Sequence, residues 1–429
     1  MTPRPREARP ARRADPARRA GRDPYGVGRV VPFLAPLLSM AGLLVVAVVT
    51  FFALTGQVPF LGSPSTNGGG GNVPAGRTPS PSAPPDVNPA IQVQGSLVYV
   101  KAGNLWIQSG NAARQLTNTG RDSQPTWSPD GSWVYFIETR ETRGRFPAER
   151  ILKRYDLKYP VLTRIHPDGS GREAVLSGLY KTGPDGAYTW FWFILDPAVS
   201  PDGTRLAVVS DGPDPTQSNV VLQFVDLRTK QLTSATLPEN PPLGHQDPAW
   251  RPDGSSILYV KNARSGTAGA PAIWRYDLVT KKTTPFTLAG YTAPAWSPDG
   301  RYVGAVRTTS LGTDVVVLDA KGAEVSRVTT DGRSWGPTWS PDGRQLAFLR
   351  LSGVTVDLQL ATLQRAANGD VSVAKTDPLT TFSGLDGNSR PAWWGPAPKP
   401  AAPPSPAASP SPAVTGTSSP ARTATPSPP

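Results

Sequence analysis

The chain has 429 residues and 50 prolines, 42 glycines and no cysteine, with a formal net charge of +12. Without cysteine there is no disulfide, thiolate zinc site, cysteine nucleophile or lipidated cysteine. The positive charge does not describe a nucleic-acid binder. Nine arginines against three acids fall in residues 1–30, and Lys399 and Arg422 sit in the C-terminal tail, so only a few net charges are left for the long middle. A nucleic-acid-binding domain should instead carry a basic stripe on its folded part.

In chain order, residues 1–30 form a basic arm. Residues 31–55 come next as an expected transmembrane helix. No charged residue occurs from Val30 to Ser63, and Leu37–Thr55 reads LLSMAGLLVVAVVTFFALT. At 1.5 Å per residue such a run covers roughly 28 Å, the thickness of a hydrocarbon core. Arginine on the N-terminal flank alone places the N-terminus in the cytoplasm and the chain beyond the helix outside it. The apolar run is longer than a signal-peptide core and lacks a clean small-residue cleavage site, which favours an uncleaved anchor. Residues 56–93, rich in Gly, Pro and Ser, read as a tether that holds the next domain off the membrane. Residues 397–429, almost wholly Pro, Ala, Ser and Thr, read as a disordered tail.

Between them, residues 94–396 repeat one phrase: PTWSPDG from Pro125, PAVSPDG from Pro197, PAWRPDG from Pro248, PAWSPDG from Pro294, PTWSPDG from Pro337, and a degenerate PAWWGP from Pro391. Periods of this size indicate a propeller or a solenoid. An apolar run comes after each intact phrase, such as WVYFI from Trp133 or ILYV from Ile257. These are strand compositions. Pro presets one turn dihedral, Gly supplies the left-handed conformation, and Asp130, Asp202, Asp253, Asp299 and Asp342 bond nearby backbone amides, so these aspartates are assigned to turns. The phrase tryptophan suits packing between blades. A second hairpin recurs between phrases, as in VVLQFVDLRTKQLTSATL from Val220. Each unit then has an apolar run, two hairpin strands and the strand ending in the phrase, with the PDG turn leading to the next unit. Six such four-stranded units make an all-β, six-bladed β-propeller.

The WSPDG phrase, the strand after it and the D-x-x-T-K hairpin resemble the TolB-like propeller family over residues 94–396. The resemblance implies the fold. It implies no single activity, because related propellers occur both as partner-binding envelope proteins and as gating domains of peptidases. Here a Gly/Pro linker and the expected anchor stand where the former carry an N-terminal α/β domain, and a 33-residue tail stands where the latter carry a hydrolase domain.

Antiparallel connectivity puts the PDG turns and recurring hairpin turns on one face, and the remaining connections on the other. Unit two carries the long insertions of that second face. One, about residues 138–160, reads ETRETRGRFPAERILKRYDLKYP; the other, about 178–192, reads GLYKTGPDGAYTWFW. Together they offer Arg143, Arg145, Arg150, Lys153 and Arg154 beside Tyr155, Tyr159, Tyr180, Tyr188, Trp190 and Trp192. Arginine with aromatics is the composition of binding hot spots, so these are the candidate partner-binding residues. The alternative is that Trp190 to Phe193 extend a buried strand. His166 and His245, on different units, make no metal or acid–base constellation. No nucleophile elbow, P-loop or zincin motif occurs. No catalytic residue, metal or cofactor is expected. The expectation is a monomeric scaffold outside the membrane that binds an envelope protein, a peptide or a cell-wall glycan. A propeller hydrolase or lyase and a transmembrane sensor are the alternatives.

Overall fold

The computed structural model of the chain describes residues 83–148, 151–216, 219–235, 237, 244–262, 270–366 and 369–396. The arm, the apolar run 31–55 and the tail 397–429 lie outside them. Among the described residues no helix is long and apolar enough to cross a membrane.

The described domain is six four-stranded antiparallel sheets. Blade 1 contains β1 (Val93–Lys101), β2 (Asn104–Gly110) and β3 (Ala112–Gln115). Blade 2 is β4 (Asp122–Trp127), β5 (Val134–Ala148), β6 (Ile151–Ile165) and β7 (Glu173–Ser177). A separate hairpin comes next, β8 (Leu179–Thr182) and β9 (Tyr188–Phe191). Blade 3 is β10 (Leu195–Val199), β11 (Arg205–Ser210), β12 (Val221–Asp226) and β13 (Gln231–Ser234). Blade 4 is β14 (His245–Trp250), β15 (Ser256–Lys261), β16 (Ala272–Asp277) and β17 (Thr283–Ala289). Blade 5 is β18 (Tyr291–Trp296), β19 (Tyr302–Thr309), β20 (Gly312–Asp319) and β21 (Glu324–Arg327). Blade 6 is β22 (Ser334–Trp339), β23 (Gln345–Ser352), β24 (Thr355–Arg365) and β25 (Val371–Pro378). The last strand, β26 (Ala392–Trp394), returns to blade 1 and pairs with β1, so the ring closes by a sheet built from both ends of the domain.

One part of the strand assignment is corrected. The strand carrying the phrase tryptophan opens its own blade and pairs with the apolar run just after it, as Trp250 does opposite Ile257. The tight SPDG turn joins two adjacent antiparallel strands, which is what a turn that short can span. It does not link blades. In the first copy Gly131 takes φ +71° and donates its amide to the Ser128 carbonyl at 3.0 Å. Asp130 accepts from the Ser132 amide at 3.1 Å, and Asp202, Asp253, Asp299 and Asp342 repeat this contact with the amide two residues on. Hydrogen bonds from the Ser128 and Ser132 side chains hold the Asp130 carboxyl below its ordinary range.

Six apolar clusters fill the six joints between neighbouring blades. The phrase tryptophans stitch three of them across the joint. Trp127 Nε1 donates to the Ala392 carbonyl at 3.1 Å, Trp250 Nε1 to Ala198 at 2.9 Å, and Trp339 Nε1 to Ala295 at 2.9 Å. The domain also begins earlier than residue 94. The Asp86 amide donates to Ser383 Oγ at 2.9 Å and the Thr381 amide to the Asp86 carbonyl at 3.0 Å, because Asp and its flanking backbone cap the loop after β25. His245 is buried at the start of β14, where Nδ1 accepts the Leu222 amide at 3.1 Å. Burial lowers its pKa to about 3, so it stays neutral. His166 stacks on Trp133 with 3.7 Å between ring centroids.

Candidate recognition site at the channel mouth

The SPDG turns and the turns joining the two outer strands of each blade share one face, here the turn face. The connections between the two middle strands and the links between blades share the other, the loop face.

On the loop face, blade 2 departs from the repeat. The residues read as a long connection are strands: β5 and β6 stay paired without interruption from Val134 opposite Ile165 to Ala148 opposite Ile151. The alternation TRGRFP against LKRYDL suits a two-sided ribbon, since successive side chains point to opposite faces. On one side Gly144 is buried, and a Cβ there would lie 2.8 Å from the Thr189 carbonyl of β9, so the missing side chain lets the ribbon seat against the β8–β9 hairpin. Trp190 is the centre of that contact, with Tyr155 edge-on at 5.0 Å and Phe146 at 5.7 Å between ring centroids. Arg145 Nε donates to the Ala187 carbonyl at 2.7 Å.

The two insertions therefore lie side by side, and the candidate residues divide by position. Arg143, Arg145 and Arg154 are on the exposed side. There Arg143 lies 4.0 Å from Asp156, with both side chains almost fully solvated, and Arg145 sits directly opposite Arg154. Like charges opposite each other weaken a ribbon; Arg145 is offset by its bond to the Ala187 carbonyl of the hairpin. Tyr155 and Trp190 are half-buried in the contact between ribbon and hairpin, and Tyr188 is half-buried over Gly183 within the hairpin. Lys153 is half-buried opposite Phe146. Tyr180 donates to Asp214 at 3.1 Å. Arg150 lies outside the described residues. Trp192 is corrected: it is 5 % exposed and belongs to the core between blades 2 and 3, against Ile194, Leu206 and Val208. Its indole fills the space where a Cβ on Gly212 would sit, 2.4 Å from the ring. Of the aromatic run, this residue obeys the buried-strand alternative.

Where ribbon, hairpin and innermost strands meet, they leave a cleft of about 280 Å³. Its walls are Ile137, Tyr159, Pro160, Phe191, Phe193 and Leu195; Ser123, Gln124, Thr139, Lys158 and Asn388 supply polar groups. A second recess of about 370 Å³ lies at blade 5, but its Arg307 and Arg327 are both engaged by Glu324.

The floor of the cleft leads to a feature missed in the sequence. The residue before the phrase proline is Gln124, Asp196, Asp247, Ala293, Gly336 and Arg390 in successive copies. In the first five the innermost strand bulges there, with φ between +49° and +62°, and a bulge re-aims the side chain. The bulged residues of neighbouring blades then bond around the axis. Gln124 Nε2 donates to Asp196 Oδ1 at 2.7 Å, the Asp247 amide to Asp196 Oδ2 at 3.2 Å, and the Ala293 amide to Asp247 Oδ2 at 3.2 Å. Arg390 reaches the Pro294 carbonyl at 2.9 Å. Burial and the neighbouring Asp247 raise the Asp196 pKa to about 7; burial raises Asp247 too, with Arg390 opposing. The visible signal was the D-P pair in LDPAVS and QDPAWR, hidden inside a phrase that reads as structural.

Asp196 gives a pH prediction with a definite sign. Its folded pKa, about 7, lies above its ordinary 3.8. Between those values the folded state holds more protons than the unfolded state, so this group favours folding at low pH and loses that contribution as pH rises through 7. Asp196→Asn keeps a carbonyl for the Asp247 amide and removes the ionisation. Its melting temperature relative to the parent should rise by several degrees from pH 5 to pH 8. A pH-independent difference between the two proteins would dismiss the assignment.

Residues 192–378 match the family profile described as the TolB beta propeller domain, which covers blades 3 to 6 and leaves out the ribbon. An uncharacterized protein of Agrobacterium fabrum is 26% identical over 159 residues, 36% of this chain. The chain spans 45% of the length of that curated relative. Among solved structures, TolB from Acinetobacter baumannii is similar at 18% identity and TM-score 0.49, covering 70% of this chain and 66% of its own. A putative TolB from Agrobacterium tumefaciens is similar at 18% identity and TM-score 0.45, covering 71% and 94%. The repeated phrase, the six blades it builds and the match over residues 192–378 agree: the described domain is a β-propeller whose repeats are similar to those of the TolB beta propeller domain.

Proposed function

We propose that the protein is a membrane-tethered recognition scaffold of the cell envelope that captures a polypeptide segment at the loop face of blade 2. The observation that carries this reading is the cleft, which two insertions build by packing on each other where the repeat is broken. Its walls are apolar and aromatic, its lip carries Lys158, and the ribbon beside it exposes Arg143 and Arg154. That chemistry suits a segment with a large apolar side chain flanked by acidic ones. Apolar walls give affinity, and a few polar groups fix orientation. The apolar run 31–55 would supply the anchor, and a rigid propeller would supply the platform.

A photo-crosslinking residue in place of Tyr159, in intact cells, should yield a defined polypeptide adduct. The same residue in place of Val279, on the turn face, should not. Joining Thr142 to Leu157 through Asn-Gly excises the ribbon in register and should remove the adduct while leaving the melting temperature of the propeller within a few degrees. Equal adducts from positions 159 and 279, or an adduct that survives excision, would refute capture at this site.

A hydrolase or lyase reading has one observation in its favour, the Asp196–Asp247 pair at the axis. All the backbone bonds these carboxylates make are to the next blade, so the ring they form also serves to hold the innermost strands together.

A further inference from the structure

The exposed apolar residues of the domain are not scattered. Eight large ones are exposed among the described residues: Ile151, Leu152, Val279, Leu288, Leu311, Val325, Val354 and Phe382. Six belong to the loop face. Leu311 lies between β19 and β20, Val354 between β23 and β24, Phe382 in the link after β25, Leu288 at the end of β17, and Ile151 and Leu152 at the ribbon tip. Only Val279 is on the turn face, and Val325 is on the outer strand of blade 5. Isolated exposed apolar residues are ordinary; their collection on one face of a ring is not.

The path of the chain singles out the same place. Its first described residues lie on the loop face, where Lys101 Nζ donates to the Pro84 carbonyl at 3.1 Å and Asp86 is bonded to Thr381 and Ser383, the neighbours of Phe382. At the other end β26 runs toward the turn face. There Trp394 Nε1 donates to the Pro129 carbonyl of the first SPDG turn at 2.9 Å, and Gly395 packs on Pro341 of the last. The two ends of the domain leave from opposite faces.

From this we infer that the loop face is the membrane-facing side, and that the rim formed by Leu311, Val354 and Phe382 rests on the surface of the lipid bilayer. The inference rests on the anchor reading of residues 31–55. Between that run and the first described residue lie fewer than thirty residues, rich in Gly, Pro and Ser. A flexible chain of that length has an r.m.s. span of roughly 30 Å, so the attachment point next to Phe382 stays within a short distance of the headgroups. At that effective concentration a few apolar side chains are enough to hold a face against the interface. The tether limits the separation and does not enforce it. Arg333 lies exposed on the same rim, and Arg350 is paired with Asp331. Contact is therefore apolar first and only weakly dependent on anionic lipid. The last described residues, 394–396, would lie on the side away from the membrane.

The absence of cysteine makes a direct test simple. Full-length chains carrying Leu311→Cys, Val354→Cys, Phe382→Cys or, as control, Val279→Cys are labelled with an environment-sensitive fluorophore. They are reconstituted in vesicles of phosphatidylcholine alone and of phosphatidylcholine with about 30% phosphatidylglycerol, each with and without lipids bearing chain nitroxides. Labels at 311, 354 and 382 should shift to the blue and be quenched at least two-fold by the nitroxides in both compositions, while the label at 279 stays aqueous. Labels at 382 and 279 that behave alike would overturn the proposal. So would quenching that persists in detergent and grows with protein concentration, which would identify a second copy of the chain as the occupant. Carbonate extraction separates the two readings. A chain that stays in the vesicles with aqueous labels removes the docked face alone. A chain that is released after showing lipid-quenched labels removes the anchor and leaves the face.

Discussion

Trp250→Ala should destabilise the domain by about 3–5 kcal/mol, the range for removing a large buried aromatic side chain. Trp250 is 8 % exposed and lies in the joint between blades 3 and 4, against Phe224 and under the Arg205 guanidinium. Its removal opens a cavity and also strips the Ala198 carbonyl of its partner across the joint. Trp296 is the internal control. It occupies the same place in the next blade at 9 % exposure, but its Nε1 has no acceptor among the described residues. Trp296→Ala should therefore cost less by about 1 kcal/mol, the worth of one hydrogen bond. Urea unfolding of both variants measures the difference. Equal losses would mean that the bond from indole to carbonyl contributes nothing to joining blades, and that apolar area alone holds the ring.

The second large effect is expected from the closing strand. A chain ended after Arg390 lacks β26, which pairs Ala392 with Val98, Trp393 with Leu97 and Trp394 with Ser96. It also loses the acceptor of Trp127 and the Trp394 ring. That ring fills the place of a Cβ on Gly131 and lies 5.7 Å from Trp127. A propeller whose first blade has lost its innermost strand exposes an unpaired inner edge on β1. The loss should be on the order of 5 kcal/mol or more, beyond what a typical single substitution does. Amide exchange should show it locally. Val98 and Val100, fully buried in the intact ring, should exchange at the rate of the whole blade 1, while the amides of blade 4 keep most of their protection. A truncated chain that unfolds within about 1 kcal/mol of the parent would show that contact between blades 1 and 6 suffices for closure.

Recognition at the blade 2 cleft and lipid contact along the rim of blades 5 and 6 use the same face without using the same residues. The cleft is lined by Tyr159, Phe191 and Phe193, and the rim by Leu311, Val354 and Phe382. Taken together, the two proposals would put a polypeptide-binding cleft close to the bilayer, the position from which a tethered scaffold would meet chains that are themselves held at the membrane. The crosslinking and fluorescence experiments address the two separately, so either can stand without the other.

Much of this architecture was legible in the residues because it is local. The PDG turn of the phrase is stated in a few residues: Pro, Asp and Gly each have one conformational job, and five copies, four of them SPDG and one RPDG, repeat it. The alternation of apolar residues names the strands, and the period names the propeller. Even the two faces derive from antiparallel connectivity, which is why the two insertions of blade 2 could be expected to meet. The features the residues did not reveal depend on partners far apart in the chain. The phrase strand was assigned to the unit before it, because a strand's neighbour is a matter of pairing and not of order. Trp192 looked like its half-buried neighbours Trp190 and Phe191, and only packing against blade 3 buries it fully. The insertion read as a loop is a ribbon because β5 and β6 continue their own ladder past the sheet. The Asp196–Asp247 ring, the closure through β26 and the departure of the two chain ends from opposite faces arise from residues dozens to hundreds apart, brought together only when the six blades close. Turn chemistry and strand periodicity are properties of a few consecutive residues, so the sequence determined the blade. Ring closure is a property of all six blades at once, so only the tertiary structure decided what lies at the axis, what lines the cleft and which face the chain enters.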